Sequence, residues 1–260
     1  MSEKTRNTFP GNIHRPTNIG KEIPSCRTIR RYMDLWKFKS IINKKSLYFR
    51  RADKLEDEFE GSSGEWYARV VEEIRKSKSI SIEIPAIITD VRKYLRASTY
   101  VNCWRIEEVE DALMWRGYTK SNCAVAIETN VALLECSFPY NCATTSDIAR
   151  GVVDYIDYEK DPVDISDIRQ PFVKKRLEYK SENELRLIYF KKKVFPVLKQ
   201  KYSGVDGRWL PIDFKTLIRK VIIKPQAPQC CEDAVKDILS NNELDENSVT
   251  KSALEKKPVF

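Results

Sequence analysis

Ser181-Glu182-Asn183-Glu184-Leu185-Arg186-Leu187-Ile188-Tyr189-Phe190 joins a charged first half to an apolar, β-prone second half, the pattern of a strand entering a core. Side chains alternate faces along a strand. Glu182, Glu184 and Arg186 therefore share one face, and Leu185, Leu187 and Tyr189 the other. With i and i+2 only about 7 Å apart, two carboxylates and a guanidinium form a compact charged cluster on a sheet face where apolar residues are the rule. Such a cluster suits holding a ribose hydroxyl, steadying a cationic transition state or binding a metal. It equally suits a solvated edge strand on which Arg186 neutralises Glu184.

The remainder of the chain narrows the chemistry. Its 260 residues, 42% hydrophobic and 10% aromatic, are enough to bury a sizeable core. Only eight glycines occur, with no G-x-G-x-x-G and no G-x-x-x-x-G-K-S/T, so the usual phosphate-cradling loops are missing. The net charge of +8 favours polyanions or small anions, yet acids and bases are interspersed. Lys44-Lys45 and Lys191-Lys192-Lys193 are local clusters of the kind that end loops. Seven cysteines without a C-x-x-C, and a single histidine at His14, offer no tetrahedral metal set. They read as free thiols of a reducing, cytoplasmic protein. No apolar run approaches the roughly 20 residues of a membrane span, and no membrane partner is expected.

Residues 1–26, with Pro10, Pro16 and Pro24, read as an N-terminal arm, and 241–260 as a polar tail. No linker or repeat divides 27–240, which is expected to form one α+β domain, its mixed or antiparallel sheet flanked by helices. Strands are expected at 28–32, 47–49, 100–104, 123–128, 151–156, 182–190, 209–212 and 217–223. Helices are expected over 35–42, 65–76, 85–95, 109–118, 172–179 and 232–239. The acidic passage 53–63 is loop. There Phe59, alone among Glu56, Asp57, Glu58 and Glu60, is expected to turn inward and pin the chain. Trp115 and Tyr118 sit three apart on a helix, a stacking surface with a hydroxyl at its rim.

Read in order, Arg30-Arg31-Tyr32, Leu47-Tyr48-Phe49, Asp57-Glu58-Phe59-Glu60-Gly61, Cys103-Trp104, Met114-Trp115-x-x-Tyr118 and Glu182-x-Glu184-x-Arg186 resemble a widespread bacterial domain family of unknown function. Its members share a D-P-F-E-like loop, an M-W-x-x-Y segment and an E-x-E-x-R strand. The resemblance covers about residues 28–240. Glu58 departs from it, standing where proline is usual, as does Gly117, where a polar residue is usual.

A looser similarity is to ADP-ribosyltransferases, in which a cation on the first strand meets the cofactor and a late E-x-E pair serves the nicotinamide ribose. That similarity implies an ADP-ribosyltransferase-like fold and NAD as the nucleotide consumed. It makes Glu184 the carboxylate beside developing positive charge, with Glu182 orienting the acceptor. Tyr118 and Trp115 would wall the nicotinamide, while Arg31, Arg50 or Arg186 would meet the phosphates. The acceptor would be a nucleic acid or a protein. Two other readings stand beside it. A metal-dependent nuclease would use Asp57, Glu60, Glu182 and Glu184, and a non-catalytic interaction module would keep the charges as an ion-pair network. If the charged face lines a cleft, Glu184→Ala is expected to leave the fold intact.

Overall fold

Strand β4 (Thr99–Ile106) organises the molecule. The computed structural model describes residues 16–78, 83–139, 147–164, 166–190 and 205–258. Before β4 come strands β1 (Thr17–Asn18), β2 (Thr28–Asp34) and β3 (Ser46–Arg51), with helices α1 (Leu35–Lys44), α2 (Gly64–Lys78) and α3 (Glu83–Ser98). After it come α4 (Ala112–Tyr118), β5 (Ala124–Asn130), α5 (Val131–Cys136), β6 (Ile148–Val152), β7 (Asp154–Ile156) and β8 (Lys174–Arg176). The remainder is β9 (Glu184–Phe190), β10 (Gly207–Pro211), α6 (Phe214–Leu217), β11 (Lys220–Ile223), α7 (Gln229–Ser240) and β12 (Val249–Lys251). His14, Cys142 and Lys191-Lys192-Lys193 lie outside the described residues.

The fold is α+β. Ten strands form one mixed sheet along the order β1-β6-β9-β4-β2-β5-β11-β12, with β3 branching from β4 and β10 pairing β3. Strands β7 and β8 pair separately, in parallel. One edge of β4 is zipped along its length to β9, from Thr99 opposite Phe190 to Arg105 opposite Glu184. The other edge is shared. Strand β3 takes Tyr100 and Val101, and β2 takes Arg105 and Ile106. Over residues 102–104 the two partners diverge and the sheet forks.

Alternation fixes what each face buries. Leu185, Leu187 and Tyr189 of β9 join Tyr100, Trp104 and Ile106 of β4 in the main core, roofed by Phe38, Ile41 and Ile42 of α1 and by Cys231, Val235 and Leu239 of α7. The i, i+4, i+8 spacing of the last three is one helix stripe. On the opposite face Val101 and Ile188 meet Tyr94, Leu95, Phe172 and Val173 in a second core. Both sheet faces are thus covered, and β9 is an interior strand rather than a solvated edge.

Several expectations need correcting. The charged strand starts at Glu184, because Asn183 takes a left-handed turn (φ 44°) that asparagine tolerates. Glu182 therefore ends a 3₁₀ turn, Leu177–Glu182, instead of sharing the strand face. Segment 172–179 is not a helix. Lys175 is only 6% exposed and its ammonium must reach carboxylates, so β8 runs extended there. The start of 217–223 belongs to α6, whose first turn is capped by the Asp213 carboxylate accepting from the Lys215 amide.

Parts of the expected arm and tail enter the sheet. Strand β1 pairs β6, with Ile19 and Ile23 buried, and β12 pairs β11 in parallel. The seven thiols are not all free. Cys123 and Cys231, 108 residues apart, form a disulfide with Cα atoms 5.3 Å apart, while Cys26, Cys103, Cys136 and Cys230 are unpaired. Packing of α7 onto the start of β5 brings the two together, which no sequence spacing announces. No helix among the described residues is long and apolar enough to cross a membrane.

The acidic loop also reverses its expected polarity. Asp57 and Glu60 are 2% and 3% exposed, whereas Phe59 is 37% exposed. Phe59 rests on Tyr158 and under the Arg176 guanidinium instead of entering a core. Gly61 closes the loop at φ +77°, and a Cβ there would lie 2.4 Å from the Phe172 ring. Gly61→Ala should therefore cost about 2 kcal/mol or more, from strain plus overpacking. Gly117→Ala, with nothing within 4 Å of its would-be Cβ, should gain up to about 1 kcal/mol of helix propensity. Urea unfolding checks both, and equal stabilities would show that this loop does not hold its turn as described.

Candidate functional site

The fork in the sheet opens a cavity of about 500 Å³, a volume usual for small-ligand sites. Its floor is Cys103 and Trp104 of β4, where the second edge of that strand is free. One wall is the face of α1 carrying Trp36, Lys37 and Ser40, and another the β3–β10 ribbon carrying Tyr48, Arg50 and Trp209. Tyr48 and Trp209 are register partners, with rings 5.2 Å apart. The Asn102 amide spans the fork. It donates to the Tyr48 carbonyl at 2.9 Å and accepts from the Trp104 indole at 2.7 Å, so the divergence is braced without a strand.

The acid side is built from three chain segments. Lys175 of β8 places its ammonium 2.5 Å from Glu182, 2.9 Å from Glu184 and 3.6 Å from Glu60. Arg186, 1% exposed, pairs with Glu184 at 2.7 Å and Glu60 at 2.5 Å, and donates to the Phe172 carbonyl at 3.0 Å. The backbone amide of Glu184 donates to the Tyr155 hydroxyl at 3.0 Å. Glu182 interacts electrostatically with Glu184, and the Tyr118 phenol lies within reach of both.

The electrostatics split the two carboxylates. Burial, together with the neighbouring Glu184 carboxylate, raises Glu182 to about 7, so it holds a proton through the mildly acidic range. Burial also opposes ionisation of Glu184, but Arg186, the neighbouring Glu182 and Lys175 outweigh it and hold that carboxyl well below the usual range. Burial, then the charges of Glu184 and Glu182, push the Tyr118 phenol up. Burial next to Glu184 likewise keeps the Cys103 thiol neutral. The pair thus presents one fixed anion and one exchangeable proton at the cavity wall.

Of the residues singled out from sequence, Glu182, Glu184, Tyr118, Arg31 and Arg50 line this one cavity. Trp115 does not. It is 3% exposed, packs edge-on against Tyr32 at 4.7 Å, and donates from its indole to Glu110 at 3.3 Å. Arg186 is likewise outside the lining, enclosed behind Glu184 as the countercharge of the acids. Arg31 is different from both. Among the described residues its Nη1 is buried with no hydrogen-bond partner, and burial depresses its pKa. An unsatisfied guanidinium in a cavity wall suits an anionic ligand group.

Sequence reasoning missed Lys175, whose Lys174-Lys175-Arg176 run looks like solvated surface, and the wall residues Trp36, Tyr48 and Trp209. Only the odd density of tryptophan near basic residues could have flagged the latter. Asp57 is 3.1 Å from Arg176, so each acid named for a metal site already has a cation. Among the described residues no group of three or more His, Cys, Asp or Glu side chains is arranged to hold a metal ion.

Compared with protein-family models, with curated proteins and with solved structures, the chain matches none.

The burial of Glu184, 4% exposed, removes the ground for expecting a harmless Glu184→Ala. That substitution leaves Arg186 and Lys175 without their nearest buried acid and should cost about 3–5 kcal/mol. Glu182→Gln, at the solvent-facing end of the network, should cost far less. Chemical denaturation of the two variants separates them, and a Glu184→Ala protein as stable as wild type would contradict the buried network.

Proposed function

We propose that the cavity is the reaction site of an NAD-consuming enzyme that releases nicotinamide and transfers the ADP-ribosyl group. The observation that carries this reading is the Glu182–Glu184–Tyr118 cluster set in the wall of an aromatic cavity that also holds the unpartnered Arg31. The order of motifs in the sequence, similar to that of ADP-ribosyltransferases, agrees with it.

The chemistry follows from the charges. As the C1′–N1 glycosidic bond of NAD breaks, its electron pair goes to the pyridinium nitrogen, nicotinamide leaves neutral and positive charge develops on the ribose. Glu184, kept ionised by Arg186 and Lys175, is a fixed anion near that charge, and it needs no rearrangement when the charge appears. The acceptor hydroxyl, amine or water then bonds C1′ and gives its proton to Glu182, whose elevated pKa makes it a usable base near neutrality. The products are nicotinamide, the ADP-ribosylated acceptor and one proton. Tyr118 offers a ring face for the nicotinamide, and Arg31 is an unspent donor for a phosphate oxygen. A nuclease using the same acids would have to take at least two of them from Lys175, Arg186 or Arg176, which makes it the weaker reading.

Turnover should rise as pH passes through about 7, the range in which Glu182 loses its proton, and level off above it. Nicotinamide release from NAD measured across pH, with and without candidate acceptors, checks this. Glu182→Gln should lower turnover by about 10²-fold or more while NAD still raises the melting temperature, and Tyr118→Phe should lower it less. Wild-type protein that neither releases nicotinamide nor is stabilised by millimolar NAD would rule the reading out.

A further inference from the structure

The mouth of the cavity carries more aromatic and basic surface than a nicotinamide subsite uses. Trp36 is 64% exposed at the start of α1 and Trp209 is 36% exposed on β10. Two such indoles at the rim of one cavity form an exposed apolar patch of the kind that marks a contact site. Each carries a lysine on its face, with Lys37 Nζ 5.5 Å from the Trp36 ring centre and Lys44 Nζ 5.2 Å from that of Trp209. Trp36, Ser40 and Lys44 are spaced i, i+4, i+8 and form one row along α1. Tyr48 and Arg50 lie across the opening on the same face of β3. Lys37, Lys44 and Arg50 make no ion pair among the described residues, although Asp206 lies near Tyr48. The acids of the cavity lining are Glu182 and Glu184, and neither forms an ion pair with these cations among the described residues.

One indole on α1 and the Tyr48–Trp209 ring pair on the facing ribbon, with Lys37, Lys44 and Arg50 beside them, match the requirements of one ligand chemistry. Bases stack on the rings in any sequence, and the backbone phosphates follow the cations. A duplex hides its base faces and would use only the cations, while an acidic peptide would leave both indoles uncovered. The net charge of +8 adds long-range attraction for a polyanion.

We infer that the Trp36–Trp209 rim is a docking surface for single-stranded nucleic acid, which it presents to the cavity as the acceptor. As an acceptor assignment this rests on the transferase reading, but strand binding itself does not. The test is fluorescence anisotropy of the intact protein with a labelled oligothymidylate of about 12 nucleotides and with a duplex of equal length, over a salt series. The single strand should bind more tightly than the duplex, with affinity falling as salt rises. Trp36→Ala and Trp209→Ala should each weaken it about 10-fold, and Lys37→Glu should weaken it and flatten the salt dependence. Both indoles are partly in solvent, so unchanged melting temperatures identify variants that fold.

Absence of strand binding overturns the inference. So does equal binding of strand and duplex with no effect of the tryptophan substitutions, which marks simple attraction to a basic chain. Loss of NAD-induced stabilisation in Trp36→Ala with strand binding intact also overturns it, and makes the rim the seat of the second base of the dinucleotide. The wild-type protein separates the two proposals. Strand binding in a protein that never releases nicotinamide sinks the transferase reading alone, and nicotinamide release without strand binding sinks the docking surface alone.

Discussion

A guanidinium that is 99% hidden from water sets the terms for half of this molecule. Arg186 stands on an interior strand, and an uncompensated charge there would be prohibitive. Glu184, two residues earlier on the same strand, supplies one countercharge. The others come from far away in sequence: Glu60 in the acidic loop and the Phe172 carbonyl. Satisfying Arg186 therefore draws the 57–61 loop and the 170–176 segment onto the sheet. That placement builds the second core around Phe172, and it carries Lys175 to the point where three carboxylates meet.

The same network explains why two neighbouring glutamates behave differently. Glu184 faces two fixed cations and is held ionised. Glu182, beyond the Asn183 turn, touches only one of them and has Glu184 and the Tyr118 hydroxyl as its other neighbours. Mutual repulsion in a partly dry site then makes Glu182 the group that keeps a proton. The division into a fixed anion and an exchangeable proton is a consequence of where the cations sit, not of the glutamates themselves.

The second constraint is geometric. Strand β4 cannot serve β2 and β3 over the same residues, so its second edge opens between them, and Asn102 holds the gap at a set width. A continuous sheet would have no concavity here. The fork places Cys103 and Trp104 in the cavity lining and lets α1 and the β3–β10 ribbon stand as walls. Aromatic walls, Arg31 and the acid pair are thereby brought together from elements far apart in the chain.

The α+β class, the strand at 184–190 with its apolar face toward the main core, and the helices at α1, α2, α3 and α7 were legible in the sequence, because period-2 and period-3.6 patterning is local and survives without tertiary information. Glu182, Glu184 and Tyr118 were legible as candidates, since charged and amphipathic residues beside apolar runs are conspicuous. Other features needed the folded chain. Phe59 looked like the anchor of its loop, but the acids around it found buried cations and took its place. Trp115 looked like a ligand wall and went into the core beneath Tyr32, while Trp36 and Trp209, unremarkable in sequence, reached the cavity mouth. Lys175, inside a segment expected to be a helix, became the hub of the acid cluster. Local periodicity decides which face of a strand or helix is apolar. Which buried charge meets which partner depends on contacts from 7 residues apart, as Lys175 with Glu182, to 119, as Arg176 with Asp57, and only the closed tertiary structure decides them.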